Sequence, residues 1–180
     1  MVLKELNFSI DEMWNHILSH KEQLSRNVDR ILVHKSKESN NFIDAVACTE
    51  RSEKLDVILT RFNIPKDHDF FFEHPKDHIP GVMLIEAGRQ SGTATSHTVY
   101  DVDMDQEFIL DHMEVKFLGF GNVDEELYAY NYIYDKVIKR GRLVHMVADG
   151  YIIQDNKRIA YIKSSWRIIP RAMLNRIKNR

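Results

Sequence analysis

The sequence predicts an α+β protein in which an antiparallel sheet wraps one central helix. Three observations carry that prediction. Residues 81–100 read as a helix rich in glycine, alanine, serine and threonine, with side chains small enough to let a sheet approach closely. Four strand-like segments follow in succession, at residues 107–118, 126–139, 142–154 and 157–169. Their separators, Gly119-Phe120-Gly121-Asn122, Arg140-Gly141 and Asp155-Asn156, are turn chemistry, and the last two predict tight hairpins.

The elements before the central helix are shorter. Ser9 can cap a helix and Glu12, three residues on, completes a capping box; Ile10, Met13, Trp14, Ile17 and Leu18 then keep helical spacing, and the helix is expected to run to about Leu24. Residues 31–35 and 42–49 read as short extended segments joined by a polar loop, residues 36–41. Residues 55–62 read as another strand, and Pro65 breaks it. In the later strands, Tyr128, Tyr130, Tyr132 and Tyr134 alternate onto one face, either as sheet packing, for which a dimer interface is one setting, or as the lining of an acyl tunnel. The division expected is an N-terminal helical segment over residues 1–30, a single domain over 31–170, and a basic tail over 171–180. Met173, Leu174 and Ile177 give that tail a helical apolar edge.

Composition narrows the class. A chain of 180 residues fits one domain and can bury roughly 70% of its unfolded surface. The net charge of −2 lacks the basic field that general nucleic-acid binding needs. The lone cysteine, Cys48, excludes an internal disulfide and a cysteine-based metal site. The first residues show no signal-peptide pattern and no apolar run is long enough to span a membrane, so the expectation is a cytoplasmic protein with no membrane partner.

The central helix is the chemical centre. At about 100° per residue, Glu86, Arg89, Gln90, Thr93 and His97 fall on one stripe. A helix wrapped by sheet must satisfy that stripe. Two readings stand: internal pairing of Glu86 with Arg89 and Gln90, or the lining of a ligand pocket. Just upstream, His74, Asp77 and His78 precede Pro80-Gly81. The first-turn amides at Gly81 and Val82, with the helix dipole, favour an anion or a polarised carbonyl oxygen, as an acyl-transfer site requires. The spacing of His74, Asp77 and His78 matches no metal motif, and neither a metal nor a cofactor is expected.

These residues also form a pattern. Val33-His34-Lys35, Pro65-x-x-His68 with Phe71-Phe72, Asp77-His78-x-Pro80-Gly81, Glu86-Ala87-x-Arg89-Gln90-x-Gly92, and His97-x-x-Tyr100 with Asp105-x-x-Phe108 follow one another in order. Together they resemble the A-factor biosynthesis hotdog family, the gamma-butyrolactone synthase type, within the hotdog thioesterase and dehydratase superfamily. The resemblance implies a hotdog fold, an antiparallel sheet around one long helix, here with an additional N-terminal helix. It implies an acyltransferase that moves a beta-ketoacyl group from an acyl carrier protein to a hydroxyl acceptor such as dihydroxyacetone phosphate. It also implies a homodimer with sites at the subunit interface. The alternatives are a thioesterase or dehydratase on acyl-CoA or acyl carrier protein, or a non-catalytic acyl-binding module.

Two departures qualify the resemblance. The best-known members carry two hotdog repeats, and this chain has room for one. Related dehydratases place a histidine fourteen residues before the helix acid, where this chain has Phe72. The catalytic candidates are Glu86, His74 and His78, with Glu86 as a general base whose pKa burial would raise. The substrate-binding candidates are Arg89, Gln90, Gly81, Val82, His68 and His97. The basic tail is either a solvated end or a docking site for an acidic carrier.

Overall fold

The computed structural model describes residues 8–25, 28–72 and 77–179, apart from the side chain of Ile177. His74 lies outside the described residues, as does the side chain of Ile177. Helix α1 (Ile10–Ser19) begins with the expected capping box: Glu12 N–H donates to Ser9 Oγ at 3.2 Å and Ser9 N–H to Glu12 Oε2 at 2.7 Å. It ends sooner than the spacing predicts. Ser19 Oγ donates to the His16 carbonyl at 2.8 Å, and a separate 3-10 turn over Gln23–Ser25 carries Leu24 into the core.

Strands β1 (Ile43–Glu50) and β2 (Asp56–Phe62) precede helix α2 (Gly81–Tyr100). Then come β3 (Gln106–Phe117), β4 (Leu127–Lys139), β5 (Arg142–Gln154), β6 (Lys157–Pro170) and a short helix α3 (Arg171–Lys178). The six strands form one antiparallel sheet in the order β1-β2-β4-β5-β6-β3, with β1 and β3 at its edges. Both predicted hairpins form. Arg140 and Gly141 (φ 53° and 77°), then Asp155 and Asn156 (φ 43° and 57°), take the left-handed pairs of type I′ turns, which match the twist of their strands.

The sheet carries a helix on each face, and alternation along β4 allots the faces. Tyr128, Tyr130 and Tyr132 point to α1 and pack with Met13, Ile17 and Leu24. Ala129, Asn131 and Ile133 point to α2. Three of the four stripe tyrosines therefore serve as the floor under α1 and line no acyl tunnel. Residues 31–35, expected to be extended, instead form a 3-10 turn over Arg30–Val33. Asp29 caps it, accepting from Ile31 N–H at 2.8 Å, and His34 then turns the chain through the left-handed region at φ 57°. Local side-chain capping thus overrides the β-branched composition.

The small residues of α2 have a steric reason. A Cβ on Gly88 would lie 2.6 Å from Ile162 Cδ1, and one on Gly92 would lie 2.9 Å from Trp166 Cη2. The C-terminal end of α2 is held by a buried network. Asp56, fully buried, accepts from Tyr100 O–H at 2.5 Å and pairs with Lys136 Nζ at 2.7 Å. Among the described residues no helix is long and apolar enough to cross a membrane.

Candidate active site on the central helix

The polar stripe of α2 is closed over by residues 34–42. Lys35 Nζ reaches Glu86 Oε1 at 2.7 Å. Gln90, fully buried, donates to the Asn40 carbonyl at 2.8 Å and to Glu86 Oε1 at 3.0 Å, and accepts from Phe42 N–H at 2.9 Å. Its amide is spent on tying this segment to the helix. His34 Nε2 meets His97 Nε2 at 2.9 Å. Sequence reasoning placed Glu86, Gln90 and His97 on one face but did not single out their partners His34, Lys35 and Asn40 as site residues. The signal was the adjacent His34-Lys35 pair entering a polar loop.

Glu86 is the hub. Arg89 grips it with both Nε (2.8 Å to Oε2) and Nη2 (2.9 Å to Oε1), a bidentate pair one helical turn apart. Burial alone would raise the carboxyl pKa, but the hydrogen bonds from Arg89, Lys35 and Gln90 outweigh it and bring the value down to about 2. The expected upward shift is therefore reversed. Glu86 is a permanent carboxylate, and its lone pairs are occupied. Two cations against one anion leave the trio with an excess positive charge.

Arg89 also faces a cleft. Its Nη1 makes only a long 3.5 Å contact to Thr93 Oγ1. Arg89, Thr93, Gly88 and Gly92 form one wall of a space of about 60 Å³, and Phe108, Leu110, Met113, Ser164 and Trp166 form the other. A bulge between Leu110 and His112 resets the alternation of β3, so that Leu110 and Met113 both face inward.

His97 is buried at the far end of the stripe. Its Nδ1 lies 2.6 Å from the Val102 carbonyl, so that nitrogen carries the proton and donates. His97 Nε2 is then the acceptor, and His34 Nε2–H is the donor between the rings. Both rings lie edge-on to Phe108, with centroids at 5.4 Å and 5.2 Å. His34 is exposed as a residue, yet its ring is packed. Burial and the neighbouring His97 lower its pKa.

The helix N-terminus is a separate feature. Met83 and Leu84 N–H donate to the Pro80 carbonyl, whereas Gly81 and Val82 N–H find no acceptor among the described residues. A Cβ on Gly81 would come 2.9 Å from Phe117 Cζ. His78 is partly exposed beside this turn. Its Nδ1 lies 3.0 Å from Asp77 Oδ1, and its ring packs edge-on to Phe120. His68 is not at the stripe: Phe70 N–H donates to its Nδ1 at 3.2 Å, its Nε2 donates to Asn40 Oδ1 at 2.8 Å, and its ring packs on Phe42 and Phe71. It reaches Glu86 only through Asn40 and Gln90. Phe72 packs against the main apolar cluster. Among the described residues no histidine bonds Glu86, and no group of three or more His, Cys, Asp or Glu is placed to hold a metal.

One long helix wrapped by an antiparallel sheet, with a polar stripe and an open N-terminus, is the hotdog fold. The family model for the A-factor biosynthesis hotdog domain matches residues 17–170, and the chain belongs to that family. Among solved structures, a protein of Lactococcus lactis described as a candidate thioesterase, yhdA, matches with a TM-score of 0.55 at 17% identity, covering 76% of this chain and 98% of that one. A hypothetical thioesterase protein of Streptococcus pneumoniae, solved with coenzyme A, matches with a TM-score of 0.47 at 11% identity, covering 77% and 94%. At 17% identity the likeness to yhdA is one of fold. No curated protein matches the chain in sequence.

Proposed function

We propose that the protein is an acyltransferase that moves a beta-ketoacyl group from an acyl carrier protein thioester to a hydroxyl acceptor bearing a phosphate, such as dihydroxyacetone phosphate. Family membership supports the class of substrate. The observation that carries the acceptor is the excess positive charge of Arg89 and Lys35 over Glu86, with Arg89 at the wall of the cleft. Guanidinium and ammonium groups together suit a phosphate.

In this reading the acceptor oxygen attacks the thioester carbonyl. A C–O bond forms, the C–S bond breaks, and the proton leaving the hydroxyl ends on the released carrier thiol. The Gly81 and Val82 amides donate to the carbonyl oxygen as it gains charge. Glu86 has too low a pKa and too many donors to act as the base. Its role is to position Arg89 and Lys35. His78 is the described histidine suited to carry the proton: Asp77 takes its Nδ1–H, which leaves Nε2 free to accept. His74, four residues earlier in the sequence, is proposed with it.

The active unit is proposed to be a homodimer. Strand β3 is an edge strand of 12 residues, paired with β6 on one side only, and Leu118 and Phe120 beside its end are exposed by 50% and 84%. Exposed apolar side chains at the end of an edge strand call for a partner.

Mass spectrometry of beta-ketoacyl carrier protein incubated with the protein, with and without dihydroxyacetone phosphate, tests the reading. Acceptor-dependent ester is expected, and Arg89→Lys should raise the acceptor KM at least tenfold. Free acid in both incubations would replace transfer with hydrolysis. A second reading, a non-catalytic acyl-binding module, is favoured by the internal pairing of Glu86 and Gln90. Thioester left unchanged in both incubations would select it.

A further inference from the structure

The side-chain partners of His78 are weak anchors. Asp77, beside its Nδ1, stands almost wholly in solvent, and an exposed ion pair is screened and fixes a ring poorly. Phe120, which meets the ring edge-on, is itself exposed. The backbone therefore decides where His78 stands. Ile79 N–H donates to the Gly121 carbonyl at 2.8 Å and Val123 N–H to the Asp77 carbonyl at 3.4 Å, which makes an antiparallel bridge of His78 and Asn122. Opposed residues of this kind share no hydrogen bond with each other, so the N–H and C=O of Asn122 point away from His78.

Both of those groups are taken by one side chain. Gln154, at the end of β5 and 3% exposed, accepts from Asn122 N–H at 2.6 Å and donates to the Asn122 carbonyl at 2.9 Å. It also donates to the Glu125 carbonyl at 3.1 Å. Its carboxamide stands in for a third strand and ties the turn of residues 121–125 to the sheet. Gly121 lets the layers close: a Cβ there would lie 3.1 Å from Ile79 Cδ1 and 3.6 Å from Gln154 Oε1. The chain of contacts runs from β5 through Gln154, Asn122 and Gly121 to His78 and Ile79, and Pro80-Gly81 then opens α2.

We propose that Gln154 is a positioning residue for the transfer reaction, fixing the His78 ring against the start of α2 by way of the 121–125 turn. This rests on the reading of His78 as the proton carrier and extends it. A group that moves a proton must be held to a fraction of an ångström, and a loop attains that only when buried hydrogen bonds tie it to a rigid element. Asn122 lies at the surface, where water can replace the bonds from Gln154, so their loss loosens the turn and spares the fold.

The test uses the full chain. Gln154→Met keeps the length of the side chain and loses its hydrogen bonds. Hydrogen exchange followed by NMR should show the Ile79 amide exchanging about tenfold faster in this variant, with the amides of the β4–β5 ladder unchanged. With beta-ketoacyl carrier protein and dihydroxyacetone phosphate, Gln154→Met should lower kcat about tenfold and keep the acceptor KM within about twofold, the opposite split to Arg89→Lys. Added to His78→Gln, it should cost nothing further, because a residue that acts through His78 has nothing left to position. Gly121→Ala, which crowds Ile79 and leaves Gln154 in place, should repeat the pattern. Exchange of the Ile79 amide at the wild-type rate, or losses that multiply in the double variant, would overturn the positioning role and leave the proton-carrier reading intact. Full transfer by His78→Gln, or none by the wild type, would remove the proton-carrier reading and the role of Gln154 with it.

Discussion

Lys35 Nζ lies 2.7 Å from Glu86 Oε1, so a residue of the loop before β1 completes the ion cluster of the central helix. That contact converts a stripe on one helix into a site shared between two distant segments.

The Glu86 carboxyl makes acid stability a direct readout of the cluster. Its pKa falls from an ordinary 4.5 to about 2 on folding. A depressed acid contributes stability above its unfolded value, and that contribution is lost as pH falls from about 4.5 toward 2. Solvent screening of this partly exposed group keeps the amount to about 1–2 kcal/mol. Urea unfolding of the wild type and Glu86→Gln at pH 7 and pH 3 should show the gap between them narrowing at the lower pH. A constant gap would mean that the ion cluster does not hold the carboxylate.

His34 shifts in the same downward direction, so its effect has the same sign and only the pH range differs. Its folded pKa lies below the ordinary 6.5, with burial first and His97 second among the causes. Glu107 on β3 opposes the shift, while Arg89 on α2 and Arg171 on α3 add to it. The unfolded chain therefore binds a proton that the folded chain resists, and stability falls as pH drops below about 6.5. His34→Gln, whose amide can still donate to His97, should flatten that part of the melting-temperature profile. A profile with the wild-type slope would remove His34 as its source.

Asp56 should be the costliest single polar loss. It is fully buried and Lys136 is nearly so, with Tyr100 and the Ser52 amide completing the carboxylate. Removing one member of a buried pair strands the other charge, at about 3–5 kcal/mol. Asp56→Ala should lose that much in chemical denaturation. A loss under 1 kcal/mol would show that water reaches Lys136.

The edge strand gives the quaternary prediction. Light scattering should find a dimer of the wild type and a monomer of the Leu118→Lys, Phe120→Lys double variant. Both side chains are exposed in the single chain, so the substitutions leave its core alone. A monomeric wild type would dispose of the edge-pairing proposal.

Much of the fold was legible because its signals are local. The Ser9–Glu12 box, the Pro80-Gly81 start of α2 and the two left-handed hairpin turns each depend on a few adjacent residues. The 3-10 turn at Arg30–Val33 was not legible, because Ile31 to Val33 have strand composition and Asp29 and His34 decide the outcome by capping and a left-handed turn. The site divides in the same way. Helical spacing placed Glu86, Arg89 and Gln90 together, while Lys35 and Asn40 join them only through tertiary packing. The direction of the Glu86 shift was missed for that reason: helical spacing offered Arg89 and Gln90 as partners, but neither the bidentate grip of Arg89 nor the arrival of Lys35, which together outweigh burial, can be read from it.

The division of labour along β4 has a consequence for how this chain can change. Its even-numbered tyrosines belong to α1 and its odd-numbered neighbours to α2, so the strand is a two-sided key with no spare position. Deleting or inserting one residue between Leu127 and Ile133 would exchange the sides, driving three phenol rings into the space beside Gly88 and Gly92 and leaving α1 on small residues. Substitutions can tune either helix's seat separately, but the length of this strand is locked.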